Sequence, residues 1–126
     1  MNQYNDKNEK HGYWEEYWGN GNLRLKGSYI NGLENGHWEH YYHNGNIWCK
    51  GDYINAEHHG YWEKYYTNGQ LISKETYVNG KRNDNWRTYW SNGNLWYDET
   101  WLNGQVIGYL KRYSENGELT NKQFFL

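Results

Sequence analysis

The stretch Gly60-Tyr61-Trp62-Glu63-Lys64-Tyr65-Tyr66-Thr67-Asn68-Gly69-Gln70-Leu71 contains the pattern that decides the fold. Trp62 follows Gly60 by two residues, a pair of tyrosines begins three residues later, and Asn68-Gly69 comes soon after. Asn-Gly between β-rich runs is a strong hairpin signal, because a two-residue type I′ turn requires positive φ at both positions. The stretch therefore predicts two antiparallel strands joined at Asn68-Gly69.

The same pattern recurs every 24 residues from residue 12 to the end of the chain. The glycine position of successive copies holds Gly12, Gly36, Gly60, Asp84 and Gly108. The tryptophan position holds Trp14, Trp38, Trp62, Trp86 and Leu110. A second turn signal stands at Asn31-Gly32, Asn55-Ala56, Asn79-Gly80 and Asn103-Gly104. We therefore predict a repeat domain of five copies, at 12–35, 36–59, 60–83, 84–107 and 108–126, preceded by a flexible tail at 1–11.

Two strands in each copy predict an all-β protein, a single elongated and twisted antiparallel meander of about ten strands. The composition agrees, with 9 Trp and 15 Tyr but only 2 Phe, and a mean hydropathy of −1.34. Trp and Tyr combine a large apolar area with a polar group, which suits the half-buried surface of one sheet. Such a sheet has two open edges, near 12–18 and 118–126, and open edges pair with other chains. We expect the C-terminal edge to dock on a partner or on a second copy.

The predicted register also determines which charged side chains face each other across neighbouring strands. It places Glu63 opposite Lys74, and in the fourth copy it places Arg87 opposite Asp98, so both charges are reversed together. The same offset gives Glu15–Lys26 and Glu39–Lys50 in the first two copies and the like-charged pair Lys111–Lys122 in the fifth. Opposite charges directly across two strands stabilise by about 0.2–1 kcal/mol. A joint reversal indicates that the two side chains are in contact.

Alternation of side chains then assigns residues to two faces. One face is predicted to carry Trp62, Tyr66, Leu71 and Tyr77 with their equivalents, and we expect it to be structural. The other is predicted to carry Tyr61, Glu63, Tyr65, Ile72, Lys74 and Val78, and we expect it to be solvated or to meet a partner.

Partner contacts are expected where the copies differ, because a partner imposes no 24-residue period on the sequence. One variable column holds Arg24, Trp48, Ile72 and Trp96. Exposed Trp and Arg are typical interface anchors. We predict a partner-binding site made of this column together with Tyr41, Tyr65 and Tyr89, all on the second face.

Histidines offer the clearest alternative chemistry. The register places His37 opposite Asp52 and Asp52 opposite His59, a row that could bind a metal or transfer protons. A surface hydrogen-bond network explains the same row, and no other copy contains it. We therefore predict no catalytic residue, no resident metal and no cofactor.

Charge and hydropathy argue against several partners. The formal net charge is −2 and the pI is about 6.3, so no overall basic field favours nucleic acid or an anionic membrane. No apolar stretch approaches the roughly 20 residues of a membrane helix, and residues 1–10 contain no apolar signal core. We expect a cytoplasmic protein.

The pattern Gly-x-Trp-x-x-Tyr-Tyr-x-Asn-Gly-x-Leu resembles MORN repeats, in particular the bacterial MORN-variant repeat, and the resemblance covers all five copies. It implies stacked hairpins in one twisted sheet with an aromatic-lined groove. MORN proteins are mostly scaffolds that bind proteins, sometimes lipids, and some bacterial relatives are labelled antitoxins. We therefore expect a non-enzymatic module that binds a protein partner, as an antitoxin-like or phage- or mobile-element-encoded inhibitor. Carbohydrate binding through aromatic stacking and a membrane-associated scaffold are the alternatives.

Overall fold

The computed structural model describes residues 1–126 and forms one open antiparallel sheet of twelve strands. The strands are β1 (Gln3–Tyr4), β2 (Lys10–Tyr17), β3 (Leu23–Ile30), β4 (Leu33–Tyr41), β5 (Ile47–Ile54), β6 (Glu57–Tyr65), β7 (Leu71–Val78), β8 (Lys81–Arg82), β9 (Asp84–Tyr89), β10 (Leu95–Leu102), β11 (Gln105–Tyr113) and β12 (Leu119–Phe125). They follow one another across the sheet in chain order, except that β8 pairs only with β7. None of these elements is a helix that could cross a membrane. The predicted all-β meander is confirmed, with β1 and the division of one strand into β8 and β9 raising the number above ten.

The second turn of each of the first four copies is the two-residue type I′ turn. In the third copy Asn79 and Gly80 have φ angles of 52° and 78°. Strand residues on either side of such turns pair directly, as Val78 does with Lys81. The second copy differs, because Ala56 holds the glycine position at a φ of 67°.

Replacing Ala56 by glycine should stabilise the protein by about 0.5–1 kcal/mol. A left-handed conformation costs an L-residue about 1–2 kcal/mol, and the greater freedom of unfolded glycine offsets about 0.4–1 kcal/mol of the gain. Thermal unfolding of Ala56→Gly checks this, with Gly80→Ala as the reciprocal variant, for which a loss is expected. An unchanged melting temperature in both variants would contradict the account.

The first turn of each copy was predicted wrongly as a two-residue turn. Tyr66 accepts a hydrogen bond from the N–H of Gly69 at 2.9 Å and donates its own N–H to Gln70 at 2.7 Å, which makes Thr67–Gly69 a three-residue loop. Only Gly69 has positive φ there. The Asn68 side chain accepts the N–H of Gln70 at 2.9 Å and so stabilises the loop.

A β-bulge corrects the register one step beyond each of these loops. Tyr65 faces Leu71, Ile72 is the extra residue, and Lys64 already faces Ser73. The longer loop and the bulge cancel, so the four predicted charge pairs and the like-charged pair are confirmed as cross-strand neighbours. They are Glu15–Lys26, Glu39–Lys50, Glu63–Lys74, Arg87–Asp98 and Lys111–Lys122.

The bulge also changes the assignment of faces. We call the face of Trp14, Trp38, Trp62 and Trp86 the ladder face, and the face of Glu15, Glu39, Glu63 and Arg87 the charge face. Leu71 pairs with Tyr65 and therefore lies on the charge face, not on the ladder face as predicted. The bulge residues Arg24, Trp48, Ile72 and Trp96 instead join the ladder face, since an extra residue shifts the alternation by one.

The core lies entirely on the ladder face. The buried residues are Trp14, Gly27, Trp38, Cys49, Gly51, Trp62, Ser73, Glu75 and Trp86. Trp62 is 1% exposed, packs edge-on against Tyr53 at 5.0 Å, and donates its indole N–H to the carbonyl of Asp52 at 2.9 Å. Its ring lies directly over Gly51, where a Cβ would be 2.2 Å from the indole. The structural role predicted for the ladder tryptophans is confirmed.

Side chains also bond each copy to the next. The hydroxyl of Tyr66 donates to the carbonyl of Tyr89 at 2.9 Å, and Trp18, Tyr42 and Trp90 make the same contact in their own copies. Asn44 similarly donates to the carbonyl of Thr67 at 2.9 Å. These contacts require aromatic and Asn residues at fixed positions, which accounts for the strict period.

The N-terminal segment is ordered, in contrast to the predicted flexible tail. Strand β1 pairs with β2, and Tyr4 packs edge-on against Trp14 at 5.5 Å. The side chain of Asn2 bonds both the N–H and the carbonyl of Glu15 at 2.8 Å. These groups cover the edge of β2 that was predicted to be open, because they satisfy its outward backbone groups.

Candidate functional site

The structure divides the predicted partner-binding site between the two faces. Tyr41, Tyr65 and Tyr89 lie on the charge face, where the Tyr41 hydroxyl donates to Glu39. Burial, reinforced by the Glu63 carboxylate, raises the pKa of Tyr65 to about 12. Arg24, Trp48, Ile72 and Trp96 lie on the ladder face, as their bulge position requires. The predicted residues therefore do not form one surface.

The bulge residues instead join a repeated aromatic column beside the first turns. We call this row the rim; it consists of Trp18, Arg24, Tyr42, Trp48, Tyr66, Ile72, Trp90 and Trp96. Its fixed members are Trp18, Tyr42, Tyr66 and Trp90, whose side chains bond the following copy. Its variable members are the bulge residues, so the rim combines a rigid scaffold with side chains that the repeat does not dictate.

The variable rim residues differ in their contacts with neighbouring side chains and in their exposure. Arg24 bonds Glu16 at 3.2 Å and lies over the Trp18 ring. Trp48 leans on Tyr42, with ring centroids 6.2 Å apart, and stays 45% exposed. Trp96 stacks on Trp90 at 4.0 Å and is only half-buried, yet its indole N–H is buried without a hydrogen-bond partner. Trp48 is thus the most open large apolar side chain of the rim.

Two concavities open along the rim. One of about 330 Å³ is lined by Trp18, Tyr42, His43, Asn44 and Thr67. The other, of about 540 Å³, is lined by Trp90, Arg112, Tyr113, Ser114, Glu115, Thr120 and Asn121. Trp18 and His43 meet edge-on at 3.9 Å in the first. An aromatic wall beside polar loop groups can accept a side chain of a partner or the face of a sugar.

A buried polar cluster lies deeper on the ladder face. Glu75 is 4% exposed and stands where earlier copies have Gly27 and Gly51. Its carboxylate accepts the Ser73 hydroxyl at 2.7 Å and the Tyr77 hydroxyl at 3.1 Å, and the Lys64 ammonium lies 3.5 Å away. Ser73 and Glu75 are both buried, so the cluster lies within the packed face and does not open to a substrate.

One cysteine and two histidines of the ladder face are in their neutral forms. Burial raises the pKa of the Cys49 thiol to about 11, which keeps it protonated. Burial also lowers the pKa of His40 and His58, so both rings are neutral at pH 7. These side chains pack as parts of the aromatic ladder; His58, for example, lies 4.4 Å from Trp62 between ring centroids.

The predicted histidine row exists but is incomplete. His37, Asp52 and His59 are successive cross-strand neighbours, as predicted. His37 contacts Asp52 at 3.1 Å and Glu39 at 3.0 Å, while the Nδ1 atom of His59 is buried without a partner. No group of three or more His, Cys, Asp or Glu side chains is arranged to hold a metal ion.

Sequence reasoning missed the rim and the Glu75 cluster for different reasons. The bulge carries no compositional mark, since Trp48 and Ile72 are ordinary strand residues. Glu75 could have been found, because comparison with Gly27 and Gly51 shows a charged residue in a glycine column.

An open sheet of stacked hairpins, with one packed face and a variable rim, places the chain among the tandem-repeat proteins. The sequence profile of the family described as MORN repeat variant matches residues 10–31, 34–55, 59–79 and 85–103. These segments cover more than half of the chain, and the protein belongs to the MORN-repeat family. MORN repeats are in general non-enzymatic modules that bind proteins or membranes. No curated protein sequence matches the chain.

Proposed function

We propose that this protein is a non-enzymatic module that binds a protein partner through the rim. The observation that carries the proposal is the contrast between two tryptophans of the second copy. Trp38 is 1% exposed because it packs in the core of the ladder face, whereas Trp48 is 45% exposed. In the column of Trp48, only the fourth copy also has a tryptophan. A large apolar side chain that the fold does not need is typical of an interface anchor.

The module acts by covering a surface of its protein partner. A small repeat module with no reactive cluster acts by covering a surface, as an antitoxin-like inhibitor does. The fixed rim residues support this mode, because their bonds to the following copy hold the anchors rigid. Rigid anchors lower the entropy lost on binding.

Replacing Trp48 by alanine should weaken partner binding about thirtyfold, since an interface anchor contributes about 2 kcal/mol or more. Affinity capture from native lysate with the wild-type chain identifies the partner, and titration then measures the affinity of each variant. Tyr13→Ala is the matched control, because Tyr13 is 43% exposed but lies on the charge face. Normal binding by Trp48→Ala, with a loss in Tyr13→Ala, would move the site to the charge face.

Carbohydrate binding is the second candidate, supported by the aromatic wall of Trp18 and Tyr42 in the first concavity. Sugars stack on aromatic rings, so a Trp18→Ala variant should lose oligosaccharide binding on a glycan array. Capture of a glycan by the wild-type chain, with no protein retained from lysate, would replace the protein-binding proposal.

A further inference from the structure

The charge face carries an unequal distribution of charge that the net charge of −2 conceals. Its central row runs across the sheet from β2 to β12. In order, the row holds Glu15, Lys26, Glu39, Lys50, Glu63, Lys74, Arg87, Asp98, Lys111 and Lys122. The signs alternate up to Lys74, and the reversal in the fourth copy then breaks the alternation.

We call β2–β6 the acidic half and β7–β12 the basic half of the charge face. The acidic half carries four carboxylates, Glu15, Glu39, Asp52 and Glu63, against Lys26 and Lys50. The basic half carries four cations, Lys74, Arg87, Lys111 and Lys122, against Asp98. Glu57 and Lys81, which pair with Ile54 and Val78 beside the second turns, add one more charge to each half with the same sign.

Several cations of the basic half lie next to other cations and form no salt bridge. Lys74 is a direct neighbour of Arg87, and Lys111 is a direct neighbour of Lys122. Like charges directly across two strands destabilise a sheet. Arg87 has Asp98 at 3.8 Å, but none of the salt bridges of the structure includes Lys74, Lys111 or Lys122. A negative surface brought against this half would relieve both contacts.

The charge face is also apolar enough to bury. Beside the charge row runs a line of exposed aliphatic side chains next to the second turns. Its members are Ile30, Leu33, Ile54, Val78 and Leu102. Exposed tyrosines on the same face, Tyr13, Tyr61 and Tyr109, add further area. These side chains supply apolar area that a partner can bury, with Glu57 and Lys81 interspersed among them.

We propose that a second copy of the chain covers this face, with the acidic half of each copy lying on the basic half of the other. A two-fold axis along the strand direction reverses the order of strands and brings the halves together twice in one closed interface. Twisted sheets pack face to face with their strands within about 30° of alignment, which such an axis permits. The rim lies on the ladder face and stays free, so the dimer presents two rims.

Charge-reversed variants test the proposal by mixing. The first variant, Lys74→Glu with Lys111→Glu and Lys122→Glu, makes the net charge of the basic half negative; none of these three lysines has a salt bridge to lose. The second, Glu15→Lys with Glu57→Lys, makes the net charge of the acidic half positive. Each variant alone should be monomeric by sedimentation velocity, because like halves then face each other. An equimolar mixture should dimerise, because the altered half of one chain then meets the oppositely altered half of the other, and the two unaltered halves also carry opposite charges.

Salt provides an independent readout of the wild-type chain. The dimer should be populated at about 0.01 M salt. At about 1 M salt the Debye length falls to roughly 3 Å, and the dissociation constant of the dimer should rise at least tenfold. Circular dichroism of each variant confirms that the sheet is intact. A wild-type chain that remains monomeric at low salt, or a mixture that does not associate, would overturn the proposal. Binding of a polyglutamate peptide or of single-stranded oligothymidine to a monomeric chain would do the same and would assign the basic half to an acidic partner.

Discussion

Replacing Trp62 by alanine should lower the free energy of unfolding by about 3–5 kcal/mol, the range for deleting a buried aromatic side chain. Trp62 is 1% exposed, and its ring is enclosed by Gly51, Tyr53 and His58. The substitution removes the apolar contacts and also the indole N–H bond to Asp52, which is 2.9 Å long. Because a single-layer sheet has no second layer to collapse into the gap, little of the loss can be recovered.

Urea denaturation followed by far-ultraviolet circular dichroism measures this effect. Trp48→Ala is the control, because Trp48 has the same chemistry but is 45% exposed. Its loss should stay within about 1 kcal/mol, as expected for a surface substitution that removes only part of the contacts. Equal losses in the two variants would show that the ladder face does not hold the sheet together.

The strands and the charge pairs could be predicted from the sequence because the period is strict. Each copy repeats the same turn signals, and the swap of Arg87 and Asp98 shows which side chains meet. The pair Glu63–Lys74 was predicted correctly although the turn between them was not. A three-residue loop followed by one bulge residue gives the same offset as a two-residue turn without a bulge.

The faces near the first turns could not be predicted for the same reason. Asn-Gly is compatible with a two-residue type I′ turn and with a three-residue loop that ends in glycine. The hydrogen bonds between Tyr66 and the loop, and the positive φ at Gly69 alone, distinguish them, and both are features of the backbone. Trp48 and Trp96 were therefore placed on the charge face, whereas the bulge turns them onto the ladder face.

The ordered N-terminus depends on contacts that do not recur in the 24-residue repeats, so the repeat pattern gives no sign of them. Asn2 binds the backbone of Glu15, thirteen residues away, through a geometry that an isolated asparagine in a polar segment does not indicate. Residues 1–10 are mostly polar or charged, a composition that is typical of a solvated segment because few of these side chains can be buried in a core. Tyr4 is the one large aromatic residue there, and its contact with Trp14 is the ladder contact of the repeats formed by a non-repeat residue.

Replacing Gly51 by alanine should cost about 1–3 kcal/mol, the usual penalty for overpacking a filled core. An added Cβ would lie 2.2 Å from Cδ2 and 2.3 Å from Cε2 of Trp62. The ring cannot withdraw cheaply, because moving it breaks the indole bond to Asp52 and the edge contact with Tyr53. Gly19→Ala is the matched control, since a Cβ at Gly19 meets no atom within 4 Å and Gly19 does not have positive φ.

The pair of substitutions identifies the cause of the loss. If the clash with the indole is responsible, Gly51→Ala should cost little in a Trp62→Ala background, because the ring that the methyl group strikes is gone. The two losses are then strongly non-additive, as expected for residues in direct contact. Urea denaturation of the wild type, both single variants and the double variant completes the cycle. Additive losses would mean that the cost of the added methyl group does not come from its clash with the Trp62 ring.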